Sequence, residues 1–291
     1  MMKLIVLFFL LAASYSSAAQ PTQSSTSSGQ SIYVMSFNIR SDTGGEADGT
    51  NGWYYRQKAV MKMFNEKKPD ICGMQEVRPG QLSDIINDVK GYQFYGVDRN
   101  DGTQTGKDER MVIMWNKKVI KVLESDTFWL SETPDVPSKG WGASYYRTAA
   151  WAKCRHIPSG KDFFFICTHL DNSSGQARSC GLQLIIERMS SLNKQKLPMI
   201  LVGDFNVTPD NNCLKLLDGY MLSAREYATP TVATASFNGF GGLTGVTARI
   251  LDYIYFNGFA SCRDFQVIEE SYLNVPYISD HYPISVNFFF K

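Results

Sequence analysis

The segment from residue 197 to residue 209 constrains the fold of this chain most strongly. Its apolar run MILV (residues 199–202) ends at a glycine, and Asp204 and Asn206 follow at once. A short apolar run of this kind predicts a strand that is buried on both faces of a sheet. Ligands of open α/β sheets bind beyond the carboxyl ends of strands, so Asp204 and Asn206 are candidate site residues. Local Asx turns would explain the same two residues equally well.

Polar residues recur at the ends of other predicted strands. Strands are predicted to end at Asn38, Glu76 and His169, and Asp280 and His281 precede the last strand. If the last strand runs antiparallel to its neighbours, all of these side chains fall on one edge of the structure. A lone histidine at a strand end is usually structural, but two of the three histidines lie here, each close to an aspartate. We therefore predict one functional site at this edge.

The pattern of strands and helices predicts an α+β fold. About a dozen strands, many of them in hairpins, accompany four or five helices, whereas a doubly wound parallel fold would alternate helix and strand. Two mixed or antiparallel sheets packed face to face, with helices outside, fit this pattern better. Residues 31–291 contain neither a linker nor a repeat of fixed period, so we expect them to form a single domain.

The amino terminus predicts export of the protein. Residues 1–19 have the lysine, apolar core and small residues of a signal peptide, and residues 20–30 form a polar tract that we expect to be a disordered leader. Of the 29 basic residues only Lys3 lies in the signal, which leaves 28 against 28 acidic residues. A neutral, secreted or periplasmic chain does not bind polyanions by bulk charge, but a local phosphate site remains open. Six cysteines permit disulfides in that compartment, and we expect one bridge or none.

The candidate site residues suit phosphoryl chemistry. The oxygen-bearing side chains Asn38, Glu76, Asp204 and Asp280 favour Mg²⁺, Mn²⁺ or Ca²⁺ over zinc. Phosphate-ester hydrolysis needs such a cation, donors for the phosphate oxygens and a group that deprotonates water. A carboxylate behind each imidazole would fix its tautomer, and the candidates are Glu109 and Asp252. Spacing alone does not assign these pairs.

Six motifs stand in the order found in the endonuclease/exonuclease/phosphatase superfamily, which this chain resembles over roughly residues 31–291. The motifs are FNIR (37–40), QEVR (75–78), THL (168–170), GDFN (203–206), LDY (251–253) and SDHYP (279–283). The resemblance implies a four-layer αββα sandwich, with two packed sheets flanked by helices. It also implies a metal-dependent phosphoric ester hydrolase.

The resemblance assigns roles to the residues of these motifs. It implies that Glu76 is the main metal carboxylate, with Asn38 beside it and Asp280 near the metal. It places Asp204 and Asn206 on the attacking water and the scissile phosphate. By the same resemblance, two histidines contact the phosphate or carry the proton, namely His169 and His281.

Further roles follow from the pancreatic-type deoxyribonuclease pattern. Glu109 should support His169, and Asp252 should support His281. Arg147 matches an arginine that contacts phosphate, although it could equally be a surface residue of a strand. Arg178, at the start of a helix, resembles a residue of uncharacterised secreted bacterial members and would either bind a substrate phosphate or be a solvated helix charge.

Three functions are compatible with these residues. The first is an exported, divalent-metal-dependent phosphodiesterase that acts on nucleic acid or a small phosphodiester. The second keeps the chemistry but takes a sphingomyelin-like phospholipid or a sugar phosphate. Whichever the substrate, the aromatic residues at 129, 141, 145 and 146 either form a wall for a base or sugar ring or cover the sheet edge. The third is an inactive binding protein, which is disfavoured because Glu76, Asp204, Asn206 and His281 are all present. The sequence implies neither a stable protein partner nor a membrane span.

Overall fold

The computed structural model describes residues 30–43, 48–232, 234–245 and 249–291. The predicted signal peptide and nearly all of the predicted leader lie outside the described residues. Thirteen strands are described, namely β1 (Ser31–Asn38), β2 (Ile71–Val77), β3 (Tyr92–Tyr95), β4 (Arg110–Asn116), β5 (Ile120–Trp129), β6 (Thr148–His156), β7 (Lys161–His169), β8 (Met199–Asp204), β9 (Leu222–Ser223), β10 (Thr231–Val232), β11 (Asp252–Asn257), β12 (Ser261–Val267) and β13 (Ile284–Phe289). The described α-helices are α1 (Trp53–Lys67), α2 (Pro79–Asp88), α3 (Gly175–Leu192) and α4 (Ala224–Tyr227).

The strands form two mixed sheets. The first sheet has seven strands in the order β10-β12-β13-β1-β2-β4-β3, and the second has six in the order β5-β6-β7-β8-β11-β9. β1 is parallel to β2 and antiparallel to β13 in the first sheet. β8 is parallel to β7 and antiparallel to β11 in the second sheet. The last strand is thus antiparallel to its neighbours, as the single-edge prediction required.

Three apolar layers hold the sheets and helices together. The inner faces of the two sheets pack against each other through residues such as Ile113, Phe165 and Val286. A second cluster packs α1 and α2 on the outer face of the first sheet, and a third packs α3 on the outer face of the second. Two outer helical layers and two inner sheets confirm the predicted four-layer αββα sandwich.

Local sequence explains where α2 begins. Pro79 occupies its first turn, where a missing backbone N–H costs nothing. The Gln81 side chain accepts a hydrogen bond from the Arg78 backbone and donates one to the Arg40 carbonyl (2.9 Å). The start of α2 is therefore tied to the segments that follow β1 and β2, both of which contribute to the site described below.

Several short elements leave no pattern in the sequence. The described part of segment 218–248 contains β9, α4 and β10, which are too short to give a periodic pattern. Residues 212–217 form a 3₁₀-helix. All six cysteines are free thiols. Among the described residues, no helix is both long and apolar enough to cross a membrane.

Candidate active site

Three neighbouring strands of the second sheet bring His169, Asp204 and Asp252 into one row. His169, the last residue of β7, pairs in register with Asp204, the last residue of β8. Asp204 pairs in turn with Asp252, the first residue of the antiparallel strand β11. Residues in register on adjacent strands lie about 5 Å apart. This alignment alone therefore places Asp204 beside both His169 and Asp252.

A distortion of β2 directs Glu76 into the site. The pairing of β2 with β4 shifts register between Met74 and Val77, which is a β-bulge, and Glu76 has a positive φ of 63°. Bulges re-aim side chains, and left-handed backbone in a residue such as glutamate is strain typical of functional sites. Glu76 Oε1 accepts a hydrogen bond from Asn38 Nδ2 (3.0 Å), and its Oε2 accepts one from the Ser41 backbone (2.9 Å).

Two hydrogen bonds join the sheets at this edge. Asn38, at the end of β1, donates from Nδ2 to Asp204 Oδ2 (3.1 Å). His281, which precedes β13, pairs through Nδ1 with Asp252 Oδ2 (2.8 Å). The predicted pairing of Asp252 with His281 is therefore present. Each sheet supplies part of the site, and neither part is complete alone.

Asp204 lies at the centre of the cluster. Its Oδ2 is 3.5 Å from His169 Nε2 and 3.6 Å from His281 Nε2. Asn206 follows with a positive φ of 52°, and its Nδ2 lies 2.9 Å from His169 Nε2 and donates to the Leu170 carbonyl (3.0 Å). The segment GDFN therefore places both of its polar side chains against the histidines, rather than forming only a local turn.

The predicted support of His169 by Glu109 is wrong. Glu109 accepts a 2.6 Å hydrogen bond from Arg99 Nη1 instead. His169 Nδ1 is buried and has no hydrogen-bond partner among the described residues. A buried guanidinium is a stronger partner for a carboxylate than a neutral imidazole is, and Arg99 belongs to none of the motifs that predicted the pair.

The two histidines have opposite pKa shifts. Burial lowers the pKa of His281, but the nearby carboxylates of Asp252 and Asp204 outweigh it and raise the pKa to about 10. Burial, together with the positive charge of Arg147, holds the pKa of His169 well below 6.5. At neutral pH His281 is thus a cation and His169 a neutral imidazole.

Carboxylates on one side of the cluster, buried at Asp204 and half-buried at Glu76 and Asp280, fit a divalent cation. Burial raises the pKa of Asp280 and of Asp204. Burial also opposes ionisation of Glu76, but hydrogen bonds from Ser41 and Asn38 outweigh it and lower its pKa. Arg40, with Nη1 3.8 Å from Asp280 Oδ2, and His281 supply part of the counter-charge, and oxygen donors of this kind also suit Mg²⁺ or Mn²⁺.

The predicted ligands Asn38, Glu76 and Asp280 all lie on the carboxylate side of the cluster. Asn38 now points its amide nitrogen at Glu76 and Asp204, so it would ligate a cation only with the amide reversed. A second set of potential donor atoms, from Asp204, Asp252 and His281, also lies within 4.8 Å. In the metal-free protein the raised pKa of His281 makes this set a charge-paired triad, and a cation would bind there only with His281 deprotonated.

Arginines line a cleft of about 460 Å³ above these residues. Arg147 is buried, with Nε 3.4 Å from Asp171 Oδ2, so the alternative that it is a surface residue of a strand is wrong. Three further arginines line the cleft, namely Arg40, Arg78 and Arg99. Arg40 and Arg78 lie in the FNIR and QEVR motifs, so those motifs could have identified them, whereas no pattern indicated Arg99.

Arg178 does not line this cleft. Its Nη1 donates to the Asp171 carbonyl (2.9 Å), so it braces the loop that carries Asp171 and Asn172. The substrate-binding role predicted for Arg178 therefore has no support in the geometry. Tyr145 was grouped only with a set of aromatics, yet it lines the cleft, and its ring centroid lies 5.1 Å from Arg99 Cζ and 5.4 Å from Arg147 Cζ.

Comparison with known proteins agrees with this arrangement. The sequence profile of the Endonuclease/Exonuclease/phosphatase family matches residues 35–281, a span that contains every strand-end residue described above. This chain belongs to the endonuclease/exonuclease/phosphatase family. Its members are hydrolases of phosphate esters, so the family accounts for a site of carboxylates, histidines and arginines.

Several known proteins are similar to this chain over most of their length. An endonuclease/exonuclease/phosphatase family protein from Bacteroides thetaiotaomicron has 31% sequence identity and a TM-score of 0.84, with coverage of 90% of this chain and 95% of that one. A mannosyl-6-phosphatase from the same organism has 31% identity and a TM-score of 0.77, with coverage of 89% and 100%. The uncharacterised protein L388 of Acanthamoeba polyphaga mimivirus is 24% identical over 252 residues, which are 81% of this chain and 92% of that protein.

Proposed function

We propose that this protein is an exported, divalent-metal-dependent phosphoesterase whose substrate is the phosphate ester of a small hydroxylated alcohol, in the class of sugar phosphates. Family membership supports the reaction class. The metal, the export and the substrate are our proposal. The single observation that carries it is a compact cleft whose lining combines four arginines with a cluster of carboxylates and two histidines.

The chain's own residues divide the reaction among them. Asp204 and Asn206 hold the attacking water, and Asp204, whose pKa is raised by burial, accepts its proton. His281, kept cationic by Asp252, and Arg147 donate to the phosphate oxygens. Glu76, Asn38 and Asp280 would hold the cation. When bound, the cation would neutralise phosphate charge and stabilise the charge of the transition state.

The size and charge of the cleft favour a small substrate over a nucleic acid. A cavity of about 460 Å³ is of the size that encloses a small molecule. The mature chain is neutral, so it lacks the bulk positive charge with which proteins hold a polyanion. The similarity to a mannosyl-6-phosphatase over nearly the full length of both chains supports the same choice.

A phosphodiester is the second candidate substrate. Arg40 and Arg78, from the two deoxyribonuclease-like motifs, both line the cleft. They could contact a phosphate that flanks the scissile one. Sequence motifs favoured this substrate, whereas the dimensions of the cleft favour a monoester, so an assay must compare the two directly.

An assay panel tests the proposal. Metal-free protein, reloaded with Mg²⁺ or Mn²⁺, is tested on hexose 6-phosphates, bis-p-nitrophenyl phosphate, duplex DNA, RNA and sphingomyelin. We expect the highest kcat/KM on a hexose phosphate, loss of activity with a chelator, and a fall of about 10²–10⁴ in kcat for His281→Ala. Exclusive activity on a diester, or full activity without metal, would contradict the proposal.

Export is tested separately. The full chain is expressed in a bacterial host, and the amino terminus of the protein from the periplasm is sequenced. We expect cleavage close to Ala19, as the signal-like pattern predicts. Recovery of the uncleaved chain from the cytoplasm alone would contradict export while leaving the proposed reaction intact.

A further inference from the structure

A second cavity, of about 420 Å³, adjoins the catalytic cleft. Phe237 lines both of them. We propose that this second cavity, which we call the side cavity, binds the uncharged hydroxylated part of the substrate while the cleft binds the phosphate. The inference rests on the proposed function, because a single phosphate ester would occupy both cavities.

The side cavity is built on the segment that carries the catalytic residues. Phe237 forms a β-bridge with His281, and its ring centroid lies 4.8 Å from that of His281. The Asn238 backbone donates to the Asp280 carbonyl (2.8 Å), and the Tyr282 backbone donates to the Ser236 carbonyl (2.7 Å). Phe237 is thus the residue that the two cavities share, and its backbone and ring both contact His281 of the catalytic cleft.

The two cavities have contrasting charge. The catalytic cleft contains four arginines together with its carboxylates and histidines. Among the described residues that line the side cavity, Glu269 is the only aspartate, glutamate, lysine, arginine or histidine. A phosphate would thus be repelled from the side cavity, and a neutral group would be accepted there.

The walls of the side cavity suit a sugar ring. Tyr277 and Tyr282 face it, with ring centroids 6.3 Å apart, and Phe237 completes an aromatic lining. Aromatic faces pack well against the apolar C–H faces of a ligand, and a few polar groups then fix its orientation. Glu269 can accept hydrogen bonds from ligand hydroxyls. In the described part of the chain, neither tyrosine hydroxyl has a hydrogen-bond partner of its own.

The side cavity is preformed rather than loose. Asn238 donates from Nδ2 to the Ser279 carbonyl (3.3 Å) and accepts at Oδ1 from the Phe240 backbone (2.8 Å). A Cβ on Gly241 would lie 2.5 Å from Tyr277 Cε2, so the tyrosine ring rests directly on the glycine backbone. A preformed site pays less ordering cost on binding, which favours a specific ligand.

The test compares two phosphate monoesters. One has a hexose that would occupy the side cavity, and the other has only a methyl group. Hydrolysis of a hexose 6-phosphate and of methyl phosphate is measured for the parent, Tyr277→Ala and Glu269→Gln. Matched controls are Tyr227→Ala and Glu226→Gln, which alter exposed residues of α4. We expect each side-cavity variant to lose at least about tenfold more kcat/KM on the hexose phosphate than on methyl phosphate, chiefly through KM.

Binding of an unphosphorylated hexose separates this inference from the proposed function. Saturation-transfer NMR is used with the methyl glycoside of the hexose, for the parent and for Tyr277→Ala. A signal that the variant loses supports the side cavity even if every phosphate ester proves inert, in which case only the proposed function fails. Equal losses on both esters, together with a signal that Tyr277→Ala retains, would overturn the side cavity while leaving phosphoester hydrolysis in place. Glu269→Gln disturbs no packing, so it decides the outcome if Tyr277→Ala does not fold.

Discussion

The two imidazoles of the site touch the same carboxylate but differ in charge. His281 has Asp252 behind it at 2.8 Å, and this partner keeps it protonated. His169 has no such partner, because Glu109 is bound to Arg99. The cationic His281 can therefore donate to a phosphate oxygen. The neutral His169 can donate to, or accept from, water or Asn206.

Replacing Asp252 by asparagine tests the origin of the charge on His281. We expect the pKa of His281 to fall from about 10 toward 6.5, because the main favourable charge is lost. Activity on a hexose phosphate should fall by about 10²–10³. NMR titration of the imidazole and steady-state kinetics measure the two effects. The control is Asp162→Asn, since Asp162 pairs with the exposed Arg155 far from the cleft; an equal loss in both variants would contradict the role of Asp252.

The same pKa shift predicts a pH dependence of stability. The folded-state pKa of His281 lies above the unfolded value of 6.5. Its stabilising contribution is therefore fully present below pH 6.5 and is lost as the pH rises through about 10. We expect the free energy of unfolding of the metal-free protein to fall as the pH rises from 6.5 to about 10. The fall should exceed that of His281→Gln by on the order of a few kcal/mol. Urea unfolding across this range measures it, and parallel pH curves for the two proteins would rule the contribution out.

At the scale of the elements, β2 and β8 approach each other closely at Gly73. A Cβ at this position would lie 2.4 Å from Val202 Cγ2 and 2.9 Å from Cys167 Sγ. Both atoms belong to the opposing sheet. Glycine is therefore needed on β2, three residues before the strand delivers Glu76 into the site.

Gly73→Ala should destabilise the protein by about 1–3 kcal/mol, since an added methyl overpacks the interface between the sheets. Gly80→Ala is the matched control. Gly80 lies in α2, nothing lies within 4 Å of its Cβ position, and alanine favours helix by roughly 0.5–1 kcal/mol. Denaturant unfolding should thus give opposite signs for the two variants. A neutral Gly73→Ala would show that the sheets are less tightly packed than the structure indicates.

The sequence was sufficient to predict which strand ends meet. Apolar runs that stop abruptly at polar residues mark the ends of β7 and β8, and the antiparallel last strand then brings His281 to the same edge. The bulge at Glu76 could not be predicted, because a register shift depends on pairing with β4 and leaves no local pattern. The two-residue strands β9 and β10 are likewise fixed by tertiary pairing.

The errors in the predicted site come from choices between competing partners. Glu109 was matched to an imidazole because the resemblance paired them, but Arg99 takes the carboxylate. Arg178 lies near the site in sequence, yet its guanidinium donates a hydrogen bond to the backbone carbonyl of Asp171. A motif specifies which residue types are present, whereas the pairing of charged groups depends on every neighbour within reach.

At the scale of the whole molecule, the site exists only where the two sheets are packed together. Glu76 and Asn38 come from the first sheet, and Asp204 and His169 come from the second. Asn38 joins them by donating to Asp204 at 3.1 Å. Buried carboxylates from both halves then share one volume, which a cation would stabilise and a phosphate would complete.

Anomalous diffraction from crystals soaked with Mn²⁺ and inorganic phosphate tests this central claim most directly. Our account predicts an anomalous peak at roughly 2.1 Å from Glu76 oxygen, with phosphate bound between that ion and the pair formed by His281 and Arg147. A manganese peak away from Glu76, or a phosphate bound outside the catalytic cleft, would contradict it.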